Sequence, residues 1–384
     1  MRVVPLGEVA RVVSGGTPKT GVAEYWDGDI RWATPTDLSR LNGPQIIETA
    51  RTITAAGLAS SGATVLPAGS VLLSSRAPIG YVAINTVPMA TNQGFKSLVP
   101  GPELDAGFLY HWLRSKTSYL KALGNGATFA EISKRTAERI LVPLPPTKEQ
   151  HRIASILDAA DEIRSKRKAV REHLDSLSDA LFHQAFGDPL SNRAATPSRP
   201  LGSVAQVLTG NSPSRQDPEN FGNDIEWIKS GNLGGPIATR AEEGLSEVGR
   251  RRARIAPKGS VLVTCIAGSP TSIGKASIVD RDVAFNQQIN AVLPSAKLHP
   301  EFLLAQLRVA PTLVRQKSTG GMKGLVSKSA FETIEVLVPA IEAQEAFVSR
   351  KNLVDAARAA VQRALAADDE LFASLQSRAF SGKL

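Results

Sequence analysis

At 384 residues with 42% hydrophobic content, the chain is long enough for two or three domains, each with its own core. Its net charge of +9 suits an acidic partner such as nucleic acid without requiring one. No apolar run reaches the roughly 18 residues that span a bilayer, MRVVPLGEVARVV is no secretory signal, and Cys265 alone excludes an intrachain disulfide, so a cytoplasmic protein is expected.

The N-terminal segment PLGEVARVVSGGTP (5–18) returns as PLGSVAQVLTGNSP (200–213), and DIRWATPTDL (29–38) returns as DIEWIKSGNL (224–233), both 195 positions on. LPAGSVLLS (66–74) corresponds to APKGSVLVT (256–264) at an offset of 190. ATNQ (90–93) matches AFNQ (284–287), and ISKRTAERILVPLP (132–145) matches VSKSAFETIEVLVP (326–339), both at 194. The offset returns nearly to its starting value after each excursion, as loops of unequal length on a shared scaffold require. The chain is a duplication.

Within each copy, short β-branched runs such as SVLLSS, YVAI and KSLVP alternate with Gly, Pro, Asn and Asp turns, which predicts a sheet of short strands. An amphipathic helix is expected over 108–123 and again over 302–316. The pairs Ser133-Lys134 and Ser327-Lys328 open a further short helix with Ser as N-cap, and the Pro-bearing strands ILVPLPP and IEVLVPA close each unit. Each copy then runs into a long helix. In 147–186 the predicted seam is Ile153, Ile156, Ala160, Ile163, Val170, Leu174, Leu177 and Leu181, with Arg167 the one foreign residue. In 341–380 it is Phe347, Val354, Ala357, Val361, Ala364, Leu371 and Leu375. Forty residues of helix extend roughly 60 Å. The predicted fold is α+β: modules at 1–145 and 200–339, helices at 146–188 and 340–384, and a linker at 189–199. An antiparallel helix pair is the natural arrangement, with a parallel pair or intermolecular coils as alternatives.

The order PLG-x-V, SGG-TP or TGNSP, Y-W-x-G-DI-x-W, GSVLLSSRAPIG and TNQGF, duplicated and interleaved with two long helices, resembles the specificity subunits of type I restriction-modification systems. The resemblance covers essentially the whole chain. It implies two target-recognition domains held apart by antiparallel helices, each reading one half of a bipartite site in double-stranded DNA. It also implies a subunit without catalysis of its own. Such a subunit recruits two adenine methyltransferase subunits, which bind S-adenosylmethionine, and motor-nuclease subunits in the full complex. Two departures stand out: the enlarged turn TCIAGSPTSIGKASI, and an Ala-rich second helix with Asp368 at a seam position.

Catalytic motifs are missing. VLVTCIAGSPTSIGKAS (261–277) ends Gly-Lys, but five residues separate Gly268 from Gly274 and Ala276 follows Lys275, so it fails the phosphate-loop pattern and reads as a hairpin, with Lys275 a phosphate contact at most. The strings Asp188-Pro189-Leu190 and Asp217-Pro218-Glu219 fail the Asn/Asp-Pro-Pro-aromatic motif of an adenine methyltransferase. The five histidines lack metal-ligand spacing.

For binding, positions shared by the copies cannot read two different half-sites, whereas differing positions can. Trp32 and Trp227, Ile30 and Ile225, and Leu38 and Leu233 are shared and apolar, hence core. Asn92-Gln93 and Asn286-Gln287 are shared and polar, and fit turn backbone better than adenine. Lys134 and Lys328, at helix N-termini, are candidate phosphate contacts. Differing candidates in copy one are Lys19, Arg31, Thr34, Thr36, Arg76 and Arg135. In copy two they are Arg215, Lys229, Ser230, Asn232, Arg240, the run Arg250-Arg251-Arg252, and Lys323. Arg pairs with guanine O6/N7 and Asn with adenine N6/N7. The mid-helix cluster Arg164, Lys166, Arg167, Lys168 and Arg171 faces DNA, a partner subunit or solvent. The competing reading is a duplicated adaptor that binds protein or glycan.

Overall fold

The computed structural model describes residues 2–76, 78–124, 130–191, 196–319 and 324–384. The chain forms two compact units, Met1–Val170 with Val361–Leu384, and Arg171–Ala360, so both boundaries fall inside the long helices.

In the first unit a five-stranded sheet runs in the order Ala10–Ser14, Lys96–Pro100, Val71–Leu73, Val82–Asn85, Gln45–Ile46, antiparallel except for the last pair. Beside it, Trp26–Ala33 pairs antiparallel with Thr52–Ile53 and parallel with Ala90–Thr91. Strand Arg2–Pro5 pairs antiparallel with Leu141–Leu144, which ties the module's two ends together just before the long helix. Pro143 is tolerated because this ladder has only two strands. The helix Ala106–Ser115 buries Phe108 through Leu113, of which Phe108, Leu109, Trp112 and Leu113 join a core with Leu6, Val71 and Ile140.

The second unit repeats the frame. Val207–Thr209, Ile289–Val292, Val261–Thr264 and Ala276–Ile278 form one four-stranded sheet, and in a second four-stranded sheet Phe221–Ile228 occupies the place of Trp26–Ala33. The enlarged turn joins Val261–Thr264 to Ala276–Ile278, two antiparallel neighbours. It is a hairpin, as the failed phosphate-loop spacing implies. Cys265 beside it is 2% exposed, and burial pushes its thiol up to about 12, which makes it inert at neutral pH.

The expected single helices over 108–123 and 302–316 are each broken in two. In the first copy the break falls at Lys116 (φ −104°, ψ 16°), where the hydroxyls of Ser115 and Thr117 turn back onto the carbonyls of Trp112 and Arg114. In the second it falls at Ala310, because Pro311 pushes its predecessor out of the helical region.

The long helices span Thr147–Phe186 and Ile341–Phe380, inside the segments 146–188 and 340–384. Within each unit they run antiparallel. Arg152 donates to the Leu384 carbonyl at 2.7 Å and Arg164 pairs with Asp369 at 2.6 Å in the first. In the second, Arg358 pairs with Asp175 at 2.8 Å and Phe182 packs edge-on against Phe347 at 5.5 Å.

The predicted seam needs correction. Ile163 is 51% exposed, Val170 48% and Leu371 55%, and Ala357 is exposed as well. The less exposed line on the first helix instead runs Ile153, Leu157, Ala160, Arg164, Arg167, and on the second Phe347, Lys351, Val354, Arg358, Val361, Leu365, Asp368, Phe372. Spacing stays heptad-like, but charged residues hold its middle. Arg164 bridges Asp161 and Asp369 and lies 4.5 Å over the Phe372 ring, while Arg167 meets Asp368 at 2.6 Å. Arg358 bridges Asp355 and Asp175 in the second unit, and every member of that set lies 194 positions from its counterpart. Apolar pattern alone selects a neighbouring ridge when the buried ridge is made of paired charges.

One shared anchor has no apolar signature. Gln150, fully buried, accepts the Asp105 N–H at 2.8 Å and donates to the carbonyls of Glu103 and Pro145, both at 2.8 Å. Gln344 does the same with His299, Lys297 and Pro339 at 2.8, 3.1 and 2.8 Å. Each glutamine locks the first turn of a long helix to its module.

Candidate nucleic-acid interface

Five motif stretches that are distant in sequence converge in each module. In the first, Gly15 and Gly16 N–H groups reach the carbonyls of Phe95 and Thr91, Asn92 N–H reaches Ala33, Ser75 N–H reaches Gly94, and Ile132 N–H reaches Ser75. A Cβ on Gly15 would stand 1.9 Å from the Asn92 carbonyl oxygen, so this approach requires glycine. Trp32 donates its indole N–H to the Gly16 carbonyl at 2.9 Å, and Trp227 repeats this to Asn211 at 3.3 Å. The Thr17 hydroxyl bonds Gln93, and Ser212 bonds Gln287. Asn92 accepts the Gly94 N–H at 2.9 Å and Asn286 the Gln288 N–H at 3.2 Å, so the asparagines serve turn backbone as expected, whereas Gln93 and Gln287 bond hydroxyls instead. The shared tryptophans and leucines are core: Trp32 is 5% exposed, Trp227 4%, Leu38 6% and Leu233 7%. Of the third shared pair, Ile225 is buried, whereas Ile30 is half-buried.

The differing residues divide by what their side chains already do. Thr34 and Asn232 serve in turn caps: Asp37 accepts the Thr34 N–H at 2.7 Å and its hydroxyl at 2.6 Å, and Asn232 accepts the Lys229 N–H at 2.9 Å. The Asn232 amide also donates to Thr239 and to the Arg240 carbonyl. The altered middle of the motif therefore keeps one cap contact, from the backbone N–H of Thr34 or Lys229 to the side chain three residues on, but leads into the α-helix Pro35–Ser39 in one copy and the 3-10 turn Ser230–Asn232 in the other. Ser230 donates to Gln288 at 3.2 Å, and Thr36 is exposed on the short helix Pro35–Ser39.

Among the cations, Lys19 and Arg135 are exposed and Arg31 half-buried, each without an ion pair among the described residues. Arg76 and Lys96 share Glu131 at 2.9 and 3.0 Å. Burial works to raise the Glu131 carboxyl, but the hydrogen bonds from Lys96 and Arg76 outweigh it and hold it below the ordinary value. Arg240 and Arg281 clamp Glu226 at 2.6 and 2.5 Å. Against the upward push of its burial, those bonds and the Ala241 N–H bring the Glu226 carboxyl down to about 2. Arg215 and Lys229 share Glu243 at 2.9 and 2.6 Å.

Arg250 pairs with Asp224 at 3.1 Å, Arg251 with Glu247 at 2.5 Å, and Arg252 bonds Asn220 at 2.9 Å. Lys134 and Lys328 face Glu138 and Glu332 one turn on, at 3.9 and 3.5 Å, on helices of only five residues, Lys134–Glu138 and Lys328–Glu332. Lys323 lies outside the described residues. In the mid-helix cluster, Arg164 and Arg167 are spent on the helix pair and Lys166 pairs with Glu162 at 2.6 Å.

Reasoning from sequence missed Lys96, Glu131, Arg281 and the acceptors Glu226 and Glu243. An offset of 192 would have exposed Glu243, because it sets that residue against Arg51. Among the described residues no cluster of His, Cys, Asp and Glu is arranged to hold a metal, and no helix is long and apolar enough to cross a membrane.

Comparison with known proteins bears on this geometry. The chain is 37% identical over 188 residues to the MjaIX specificity subunit of Methanocaldococcus jannaschii, covering 48% of this chain and 44% of that one. It is 29% identical over 166 residues to the EcoR124I/EcoR124II specificity subunit of Escherichia coli, covering 41% and 40%. The match thus spans less than half the length of these relatives. The fold is shared with the S subunit of a type I restriction-modification system from M. genitalium (TM-score 0.60, 15% identity, 99% and 96% covered). It is shared too with a chain solved in work on complex assembly and conformational transition of the type I R-M system (TM-score 0.62, 19% identity, 100% and 98% covered). The model of the type I restriction modification DNA specificity domain matches residues 1–172 and again 197–356, once for each module, and the chain belongs to that family.

Proposed function

We propose that the chain is the DNA-specificity component of a type I restriction-modification complex in the cytoplasm, each module reading one half of a bipartite site. The observation that carries this is divergence on an unchanged frame. The tryptophan, glutamine and glycine contacts that hold the five stretches together are repeated, while the polar groups displayed around them differ. One scaffold with two surfaces is what two half-sites require. The chain itself supplies the address and no chemistry. Adenine methylation belongs to two methyltransferase subunits that carry S-adenosylmethionine, and cleavage to motor-nuclease subunits. The long helices dock those partners and set the unread gap between half-sites.

The test is co-expression with the methyltransferase subunit of the same system, followed by genome-wide mapping of modified adenines. The expected result is one bipartite motif with a fixed gap, present only when both chains are expressed. No new motif, or methylation by this chain alone, overturns the assignment.

A further inference from the structure

One equivalent position in the two modules holds residues of opposite charge, Arg51 and Glu243. Arg31 pairs with Thr52 in one module and Glu226 with Gly244 in the other, which sets Arg51 against Glu243. The carbonyls of Arg51 and Glu243 accept the backbone N–H of Trp32 and Trp227 at 3.2 and 3.1 Å, which supports the equivalence. Arg51 stacks on Trp26 with its guanidinium carbon 3.6 Å from the ring centroid. Glu243 instead holds Lys229 Nζ at 2.6 Å and Arg215 at 2.9 Å. Lys229 lies 5.1 Å over Trp227, and Arg215 5.4 Å over Phe221, which stands where Trp26 does. The hydrogen bonds from Lys229 and Arg215 hold the Glu243 carboxyl below its ordinary value, so the clamp is charged at neutral pH. In the first module Thr34 and Thr20 occupy the positions of Lys229 and Arg215.

Each place therefore bears one net positive charge, delivered in one module as a lone stacked guanidinium and in the other as cation, carboxylate, cation. Attraction to phosphate follows net charge, whereas base discrimination follows the placing of individual donors. A swap that keeps the first and changes the second is a swap of specificity. Lysine has three donors and arginine five, so one carboxylate leaves both cations with donors to spare, and Arg215 stays 64% exposed. The site also joins two of the converging stretches, the 210–215 loop and the end of strand Phe221–Ile228, to the segment leading into Gly244–Leu245.

Resting on the DNA-recognition reading above, we propose that Glu243 is a positioning residue that fixes Lys229 and Arg215 as donors to guanine O6 and N7 in the half-site of the second module. The experiment uses the full chain in its co-expressed complex and measures competition by duplexes carrying each base at each half-site position. Glu243→Gln keeps the side-chain shape and removes the charge. It should lower discrimination at one or two guanine positions of one half-site on the order of ten-fold, leaving the other half-site and the unfolding midpoint unchanged. Lys229→Gln and Arg215→Gln should affect the same positions, and Arg51→Gln only the other half-site. Unchanged discrimination in all three second-module variants, or equal weakening on every duplex, overturns the clamp while the DNA reading stands. A wild-type complex with no bipartite preference overturns that reading and the clamp with it.

Discussion

Trp32 and Trp227 do two jobs, filling a small core and pinning a loop carbonyl through the indole N–H. Trp32→Phe keeps most of the packing and leaves the Gly16 carbonyl unpaired, so urea unfolding should register a loss of about 1–3 kcal/mol. Trp32→Ala should cost about 3–5 kcal/mol. Glu226 carries a pH signature. Its carboxyl is near 4.5 when unfolded and about 2 when folded, so its stabilising effect is present above pH ~4.5 and lost as pH falls towards 2. Glu226→Gln should flatten that part of the stability–pH curve and lower stability at neutral pH, where Arg281, 17% exposed, loses one of its two carboxylates and keeps Asp280. Thermal melts across the range test both.

At the scale of elements, the long helices separate two seams that the sequence could not. If the charged ridge is the buried one, Leu157→Ala should cost about 2–5 kcal/mol, while Ile163→Ala, at an exposed position, should stay within about 0.5 kcal/mol. Equal losses would restore the all-apolar seam. The Arg164–Asp369 pair, half of it exposed, should show a coupling of about 0.5–1 kcal/mol in a double-mutant cycle. Existence and bounds of these helices were legible because 40 residues of helical period without proline or internal glycine leave little else to form. Their buried face was not legible, because a paired arginine in a seam looks like any solvated arginine. The same blindness hid Gln150 and Gln344, whose role depends on three backbone groups that only folding brings together.

For the whole molecule, the proposed function predicts separable addresses. Exchanging residues 1–145 for those of another family member should change one half of the methylated motif and leave the other intact. Adding one heptad to each long helix should change the gap and neither half-site; altered half-sites would refute the modular reading. Binding to duplex DNA should weaken steeply with salt, with a slope near −0.9 per phosphate neutralised.

The duplication, the α+β class of each module and the long helices were determined by sequence alone, since offsets and periodicities are properties of the chain read in order. Tertiary structure decided which cations are already spent. Whether an arginine is available to a base depends on a carboxylate brought beside it by strand pairing, as Glu226 is to Arg240 and Glu243 to Arg215. Lys19, Arg31 and Arg135 look no different in sequence, yet they stand without such partners among the described residues. Electrostatic pairing acts over a few ångströms of space, and no pattern along the chain encodes that distance.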